Sequence, residues 1–396
     1  MYVLRKIQPF FHHRNNMNIL VASCGHKDFL NPVEACQAIV GGLNRWSSNH
    51  GIEVAPMADG GDGTIDALIA VKKGGIVIVE THDGLFRTRG AKMGVSEDQK
   101  TAVIEIAEAA GSAILQPHER QTMIATSFGV GELIIAAARL GCNRIVIGLG
   151  GSIVSDCGIG MAQALGAVFL DKKGNRLAPI ANGGFNALSL KSIDNIVLDD
   201  LKVNVDELEI HIASDVAIPL LGSNGQARTF GPQKGANIVE IEYLEEGFAN
   251  LVQVFRERFF KDIDIPLAGA AGGLGAGLFG FLNAKLYLGA QFIAEEMGLA
   301  GKISNADVVI VGEGCLDETT LCNKGPYYIS QLAKMNKKKF IAVVGNVNKS
   351  ADFSSFYDHI SCCSDFYDKN EILTATKIKK TLGKAIYKVM SELFIQ

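Results

Sequence analysis

The sequence has few of the features that mark several large classes of protein. Its 396 residues include only nine prolines, and no repeat or low-complexity segment stands out. The eight cysteines form no C-x-x-C pair, which indicates reduced, cytosolic thiols and not a disulfide framework. The apolar stretch at residues 267–282 is rich in glycine and shorter than the roughly 20 residues of a membrane-spanning helix. These absences predict a cytoplasmic protein without a membrane partner.

Charged residues are also scarce. They make up 20% of the chain against 48% hydrophobic residues, a balance that excludes disorder and supports large buried sheets. The net charge is −4, and neither Lys nor Arg clusters into a patch, so no nucleic acid is expected as a partner. The length suits two domains. Nothing in the pattern identifies an oligomer interface, which leaves a homo-oligomer open.

Apolar β-branched runs alternate with helical patterns, which predicts an α/β protein with mainly parallel strands. Strands are predicted at 18–22, 76–80, 102–106, 144–149, 209–213, 307–311, 339–344 and 358–362. Helices are predicted at 32–48 with Asn31 as its cap, at 63–72, at 129–140 opened by Ser127, at 237–261 and at 374–393. We expect a disordered N-terminal extension at 1–16, a discontinuous α/β domain at 17–75 plus 290–396, and an inserted α/β domain at 76–289.

Two glycine runs that each lead to an acid are the most informative feature. The run from Gly148 to Ser152 leads to Asp156, and the run from Gly312 to Gly314 leads to Asp317. Both follow apolar runs typical of buried strands. Glycines at such a point let backbone N–H groups face an anion, and a nearby carboxylate can hold a metal ion. The pair predicts a phosphate and magnesium site at the carboxyl ends of parallel strands.

Other phosphate-binding patterns fail. The chain has no G-x-x-x-x-G-K-[ST] string, so a P-loop enzyme is disfavoured. The string that begins at Gly148 has Ile153 where a dinucleotide fingerprint needs its third glycine, which disfavours a dehydrogenase.

The glycine runs belong to a longer series of unusual strings. Together they closely resemble the bacterial type I glycerate kinase family from Met17 to the C-terminus. The strings are Ala58-Asp59-Gly60-Gly61-Asp62-Gly63-Thr64, Thr126-Ser127-Phe128-Gly129, Ser214-Asp215-Val216, Phe230-Gly231-Pro232-Gln233-Lys234-Gly235-Ala236 and Gly269-Ala270-Ala271-Gly272-Gly273.

The resemblance implies an ATP- and Mg²⁺-dependent kinase that phosphorylates D-glycerate to a phosphoglycerate. It also implies two α/β domains with mainly parallel sheets, one flavodoxin-like and one restriction-endonuclease-like, with a cleft between them.

The residues that match the family strings give the candidate site. Phosphoryl transfer needs positioning and charge neutralisation, which glycine-loop amides, lysines and carboxylates can supply. Asp215 is expected to accept the glycerate hydroxyl proton or to hold the substrate, and two lysines are expected to contact phosphate. The assignments are Asp215, Lys27 and Lys234 as catalytic residues; Gly150, Gly151, Ser152, Gly312, Glu313 and Gly314 at the nucleotide; Asp59, Gly60, Gly61 and Ser127 at the substrate; and Asp156 and Asp317 at the metal.

Structural roles compete with several of these assignments. Asp59 fits an Asx turn before the next helix about as well as it fits a substrate contact. Asp215 also fits a turn position, and either lysine also fits a solvated surface. The glycines at 269–277 fit close packing better than a phosphate-facing helix start.

The chain departs from the family strings at three positions of the expected cleft, Cys24, Phe128 and Cys315, where the family has an acid and two arginines. Two alternatives to an active glycerate kinase follow: a relative of low or no activity that serves as a binding or regulatory protein, or a kinase for a less anionic acceptor. A weaker alternative is a soft-metal or redox site formed by Cys24, Cys157 and Cys315, with Cys322 nearby.

Overall fold

The structure, a computed structural model, describes residues 16–180, 183–321, 324–348, 352–368 and 371–394. Residues 1–15 of the predicted N-terminal extension lie outside this range, as does Cys322. No helix among the described residues is both long enough and apolar enough to cross a membrane.

The chain divides into two units. The first takes the described residues of Met1–Met57 and Ala294–Gln396, and the second is Ala58–Ile293. The boundary after Met57 differs from the one predicted at residue 75. Its physical reason is the helix Thr64–Val71, which buries Ile65 and Leu68 in the second unit and has its Ile65 N–H bonded to Glu105 of that unit.

The regular elements of the described residues follow in chain order. The strands are β1 Asn18–Val21, β2 Gly51–Val54, β3 Gly75–His82, β4 Thr88–Val95, β5 Thr101–Glu105, β6 Arg144–Gly148, β7 Val168–Leu170, β8 Asn195–Val197, β9 Glu209–Ser214, β10 Lys285–Leu288, β11 Val308–Leu316, β12 Lys339–Val347 and β13 His359–Cys362. The helices are α1 Pro32–Trp46, α2 Thr64–Val71, α3 Ala107–Ala110, α4 Phe128–Arg139, α5 Ile159–Leu165, α6 Gln226–Phe230, α7 Ile238–Phe259, α8 Leu274–Leu282, α9 Gly289–Glu296, α10 Leu299–Asn305, α11 Gly325–Met335 and α12 Ala375–Leu393.

The first unit is built on a five-stranded parallel sheet with the order β13-β12-β11-β1-β2. Renumbered within the unit, this is the order 2-1-3-4-5 of flavodoxin-like folds. Helices α1 and α12 pack together and bury Ile39, Leu43 and Ile386 against the sheet. The predicted cap of α1 is confirmed, since Asn31 Oδ1 accepts the N–H of Glu34 at 2.8 Å.

The second unit contains a mixed six-stranded sheet with the order β10-β9-β6-β5-β4-β3. Strands β10, β9, β6 and β5 run parallel, while β4 pairs antiparallel with both β5 and β3. The predicted mainly parallel α/β fold is therefore confirmed. Because the carboxyl ends of β5, β6 and β9 share one edge, Glu105, Gly148 and Ser214 end next to one another there.

Candidate active site

The loop after β6 packs closely against the loop before α2. Gly150 donates its N–H to Gly60 O at 2.9 Å, and a Cβ on Gly150 would lie 2.4 Å from Gly61 Cα. Gly60 itself has φ +97°, and a Cβ there would lie 2.2 Å from Ala213 O. These glycines are needed first for backbone packing. The Gly150 N–H is consequently engaged inside the protein and is not the phosphate donor predicted from the sequence.

The next two residues of this loop remain open to a ligand. Among the described residues no hydrogen bond engages the N–H groups of Gly151 and Ser152. Both residues line a cavity of about 460 Å³. Its lining is Ser112, Pro117, Arg120, Leu149, Gly150, Gly151, Ser152, Ile153, Asp215, Val216, Phe230, Gln233, Lys234, Gly235 and Ala271. The cavity thus brings together five predicted site residues from three distant parts of the sequence.

Lys234 is the buried cation of this cavity. It ends a short 3-10 helix, Pro232–Lys234, and is 9% exposed. Its Nζ donates to Ser152 Oγ at 3.0 Å and to Val154 O at 2.8 Å. Burial lowers the pKa of Lys234 to about 7, against a smaller opposite effect of Asp156. The ammonium group is therefore desolvated and lies next to the glycine loop, where an anion would restore its charge.

Asp215 and Arg120 add opposite charges to the same lining. Asp215 directly follows β9 and is exposed. Arg120 donates from Nε to Leu115 O at 3.4 Å, and its terminal guanidinium nitrogens have no partner among the described residues. Sequence reasoning missed Arg120, since it follows Pro117-His118-Glu119 without any glycine or strand signal. A cation pair and a carboxylate around one cavity suit an anionic hydroxy compound.

Asp156 does not fit its predicted role as a metal ligand. Its side chain is fully buried, and Oδ2 accepts from Ser127 N at 2.7 Å, Ser127 Oγ at 2.8 Å and Gly160 N at 3.3 Å. Oδ1 accepts from Gly158 N at 3.1 Å. Burial raises its pKa, while these hydrogen bonds act in the opposite direction. The carboxyl group therefore joins the start of α4 to the turn before α5.

Ser127 does not fit its predicted role at the substrate, because its side chain is also buried and bonded inside the protein. It is 0% exposed, and its Oγ accepts the N–H of Met161 at 2.9 Å in addition to donating to Asp156. It precedes α4 as predicted, but its side chain does not bond that helix's own amides. The position predicted for the substrate is thus part of the internal support of the cavity.

Replacing Asp156 with asparagine tests its structural role. The Asn amide would place an NH₂ donor among N–H donors in a buried site, so we expect the free energy of unfolding to fall by about 3 kcal/mol. Denaturant titration gives the value. The Mg²⁺ affinity of the folded fraction should stay that of the wild type, whereas a marked loss of affinity would restore Asp156 as a metal ligand.

The turn at Asp59 is an Asx turn, which is the predicted alternative to a substrate contact. Asp59 Oδ1 accepts the Gly61 N–H at 3.3 Å, which forms an Asx turn, and the side chain is half-buried. A Cβ on Gly289 would lie 1.8 Å from Asp59 O, so α9 begins directly against this turn. The turn geometry accounts for Asp59, Gly60 and Gly61 without a substrate.

Glu105 was missed by sequence reasoning and supports this turn. It ends β5 and accepts the Ile65 N–H of α2 at 2.8 Å, and it is 9% exposed. Burial raises its pKa to about 7, with Asp62, Glu108 and Asp66 adding to the effect. The available signal in the sequence was an acid at the end of an apolar run.

The second glycine run lies in the first unit and is not a loop. Strand β11 continues to Leu316, with Gly312 paired to Val343 and Glu313 paired to Val344 of β12. Gly312 O accepts the Cys24 N–H at 2.9 Å, and a Cβ on Gly312 would lie 2.2 Å from Ser23 Oγ. The strand predicted to end at residue 311 was therefore too short. Close packing of β11 against the end of β1 requires the glycine.

Two carboxylates that suit a hard metal ion lie at the carboxyl end of this strand. Thr320 Oγ1 donates to Glu313 Oε2 at 3.0 Å and accepts the Asp317 N–H at 3.2 Å, so one threonine joins the two acids. Asp317 Oδ1 accepts from Thr319 N at 2.8 Å, and its hydrogen bonds to Thr319 lower the pKa of Asp317. The lowered pKa keeps Asp317 ionised at neutral pH, as a Mg²⁺ ligand must be.

The remaining predicted residues of this unit lie near the same strand end. Lys27 is exposed, and its backbone N lies 3.5 Å from a Cβ built on Gly314. His26 beside it is 2% exposed, and burial lowers its pKa to about 4. Cys24 and Cys315 belong to this unit and the buried Cys157 to the other. No group of three His, Cys, Asp or Glu among the described residues has a metal-binding arrangement.

Phe128 packs away from the cavity lining. Its ring lies edge-on to Phe86 at 4.9 Å and to His82 at 5.6 Å, between ring centroids. The residue is half-buried in this aromatic cluster. The charges of the cavity described above therefore do not depend on the residue at position 128.

The comparisons with known proteins agree on one family. The model of the glycerate kinase family matches residues 19–393. The Glycerate 2-kinase of Escherichia coli (strain K12) is 36% identical over 336 residues, which cover 84% of this chain and 86% of the relative. The Glycerate kinase of Bacillus subtilis (strain 168) is 35% identical over 346 residues, 87% of this chain and 88% of the relative. A crystal structure assigned as glycerate kinase 2 from Salmonella typhimurium LT2 has a TM-score of 0.83 and 32% identity, and the match covers 96% of this chain and 98% of that one.

Proposed function

The chain belongs to the glycerate kinase family, and we propose that it transfers the γ-phosphoryl group of ATP to D-glycerate in the presence of Mg²⁺. The observation that carries this proposal is the cavity of the second unit, in which Lys234, Arg120 and Asp215 lie around the open amides of Gly151 and Ser152. A carboxylate that acts as a base and two cations that bind anions are what this reaction needs.

The roles within the cavity follow from charge and exposure. Lys234 and the amides of Gly151 and Ser152 bind phosphate oxygens, because they are the desolvated positive groups of the lining. Asp215, exposed at the end of β9, accepts the proton of the attacking hydroxyl group. Arg120 supplies a guanidinium group to the same lining. Its fork suits the carboxylate of glycerate.

Asp317 and Glu313 are the residues that would hold Mg²⁺. Magnesium usually binds proteins through one or two carboxylates and takes phosphate and water oxygens for the rest of its shell, so two acids suffice. When bound, the ion neutralises charge on the phosphates of ATP. Replacing Asp317 with asparagine serves as the counterpart of the Asp156 variant, and the Mg²⁺ requirement should rise roughly tenfold because a hard anionic ligand is lost.

An active enzyme with an anionic acceptor is favoured over the two alternatives. A less anionic acceptor was inferred from Phe128, but the lining of the cavity retains Arg120 and Lys234, and Phe128 packs with His82 and Phe86. A regulatory relative would not need a carboxylate on the same cavity as a desolvated lysine. The free cysteines of the described residues suit a cytoplasmic location.

ADP release with purified protein tests the proposal. We expect turnover with ATP, Mg²⁺ and D-glycerate, and a kcat/KM for glycerol at least about a hundredfold lower, because the carboxylate contact is missing. A preference for glycerol would indicate another acceptor, and nucleotide binding without turnover would indicate a regulatory protein. Because the relative from Escherichia coli is a Glycerate 2-kinase, we further propose the 2-hydroxyl group as acceptor. Enolase added without a mutase converts only 2-phosphoglycerate and so identifies the product.

A further inference from the structure

An apolar strand forms an open edge of the six-stranded sheet. Strand β3 pairs with β4 along all 8 of its residues, from Gly75 opposite Val95 to His82 opposite Thr88. On its other side it is the last strand of the sheet among the described residues. Edge strands of this kind present unpaired N–H and C=O groups to any strand that approaches.

The side chains of this edge are exposed aliphatic groups. Ile76, Val77 and Ile78 are 45%, 36% and 64% exposed. They have high strand propensity, and residues 75–79 contain neither a charged residue nor proline. The pairing with β4 also runs without a bulge. Residues 75–79 therefore lack the usual protections of a free edge, and this part of the strand is suited to pairing with another strand, whereas the His82 N–H at its end is bonded to Glu132.

The charges at the two ends of β3 indicate which kind of strand would pair with it. Lys73 is exposed just before the strand, and Glu80 is exposed near its end. Antiparallel pairing of two identical strands brings each basic end to the acidic end of the other, whereas parallel pairing would join like charges. We propose that a second copy of this chain pairs antiparallel along β3, which joins two sheets into one about a twofold axis.

One register satisfies both the apolar and the charged residues. With Val77 opposite the partner's Val77 at the axis, Ile76 lies opposite the partner's Ile78, and the same pair repeats on the other side. Directly opposite residues of antiparallel strands share a face, so the isoleucines cover each other. Glu80 then lies opposite the partner's Gly74, next to the partner's Lys73. The interface is independent of the phosphoryl-transfer residues.

Sedimentation velocity of the full chain over a concentration series tests this interface. The wild type should sediment as a species of twice 42.3 kDa. Ile78→Lys should dissociate at least about tenfold more readily, because it places a charge in the strand pair. Val239→Lys is the matched control, since Val239 is 73% exposed on α7 of the same unit. It should leave the dimer intact. Circular dichroism checks that each variant is folded.

Charge exchange tests the register. Glu80→Lys and Lys73→Glu should each weaken the dimer, and the double variant should restore it, since the opposite charges meet again in reversed order. A monomeric wild type at every concentration overturns the proposal, and so does a folded Ile78→Lys variant that dimerises as the wild type does. Failure of the double variant to recover dimerisation overturns the antiparallel register. Kinase activity is not needed for any of these results.

Discussion

Replacing Lys234 with methionine should lower kcat/KM for ATP by about a thousandfold while the protein stays folded. The ammonium group is the buried cation of the cavity, bonded to Ser152 Oγ at 3.0 Å and to Val154 O at 2.8 Å. Methionine keeps the length of the side chain but cannot neutralise a phosphate. Steady-state kinetics with saturating D-glycerate gives the ratio.

A second lysine provides the matched control for this variant. Lys261 is half-buried, donates to Phe279 O at 2.6 Å and has a pKa lowered by burial, but it does not line the cavity. Lys261→Met should therefore keep kcat/KM near that of the wild type. Equal losses in the two variants would mean that Lys234 acts through stability alone.

The same substitution should change how stability depends on pH. The pKa of Lys234 is about 7 in the folded protein and about 10.4 in an unfolded chain. Between these values the unfolded state binds more protons, so Lys234 makes the free energy of unfolding rise with pH, by at most about 1.4 kcal/mol per pH unit. Denaturant titrations of Lys234→Met should show a smaller rise over this window, and at neutral pH the variant should be at least as stable as the wild type.

Replacing Asp215 with asparagine should lower kcat by about a hundredfold to ten-thousandfold. Asparagine keeps the shape of the side chain but cannot accept the proton of the attacking hydroxyl group. Because Asp215 is exposed, the melting temperature should change little. Rapid-quench or steady-state rates at saturating ATP and D-glycerate measure the effect, with KM for ATP expected to stay near the wild-type value.

The effects of Asp215→Asn on kcat and on KM show whether Asp215 acts as a base or only binds the substrate. Asp199→Asn is the control, because Asp199 is an exposed aspartate of the same unit outside the cavity, and it should leave kcat unchanged. If Asp215→Asn raises only KM for D-glycerate, Asp215 holds the substrate and some other group takes the proton. An unchanged kcat and KM would remove Asp215 from the site.

Much of the fold could be predicted because local signals and tertiary packing agree. Asn31 followed by Pro32 and Glu34 carries a capping box that needs no distant contact. The apolar run at Ile145 to Ile147 gives a buried parallel strand for the same reason. Strand β4 was missed because Gly90 and Gly94 break its apolar pattern. Gly94 lies beneath Ile69 of α2, a contact that only the folded chain reveals.

The site was harder to predict, since a glycine or an acid near a strand end has two uses. Gly148 and Gly150 fit a phosphate loop in sequence, but in the structure they lack a Cβ because Gly60 and Gly61 pack against them. Asp156 fits a metal ligand in sequence, yet its donors come from Ser127 and from turns that the chain folds around it. The predicted residues Lys234 and Asp215 line the same cavity. Their chemical roles stay predictions.

Proton uptake on nucleotide binding tests the central claim most directly, namely that the anionic part of the reaction lies against Lys234. An anion that contacts this amine should raise its pKa well above about 7. Calorimetric titration of MgATP at about pH 8, in buffers of different ionisation enthalpy, gives the number of protons taken up. We expect uptake approaching one proton for the wild type and for Lys261→Met, and none for Lys234→Met. Equal uptake by the wild type and Lys234→Met would contradict the account.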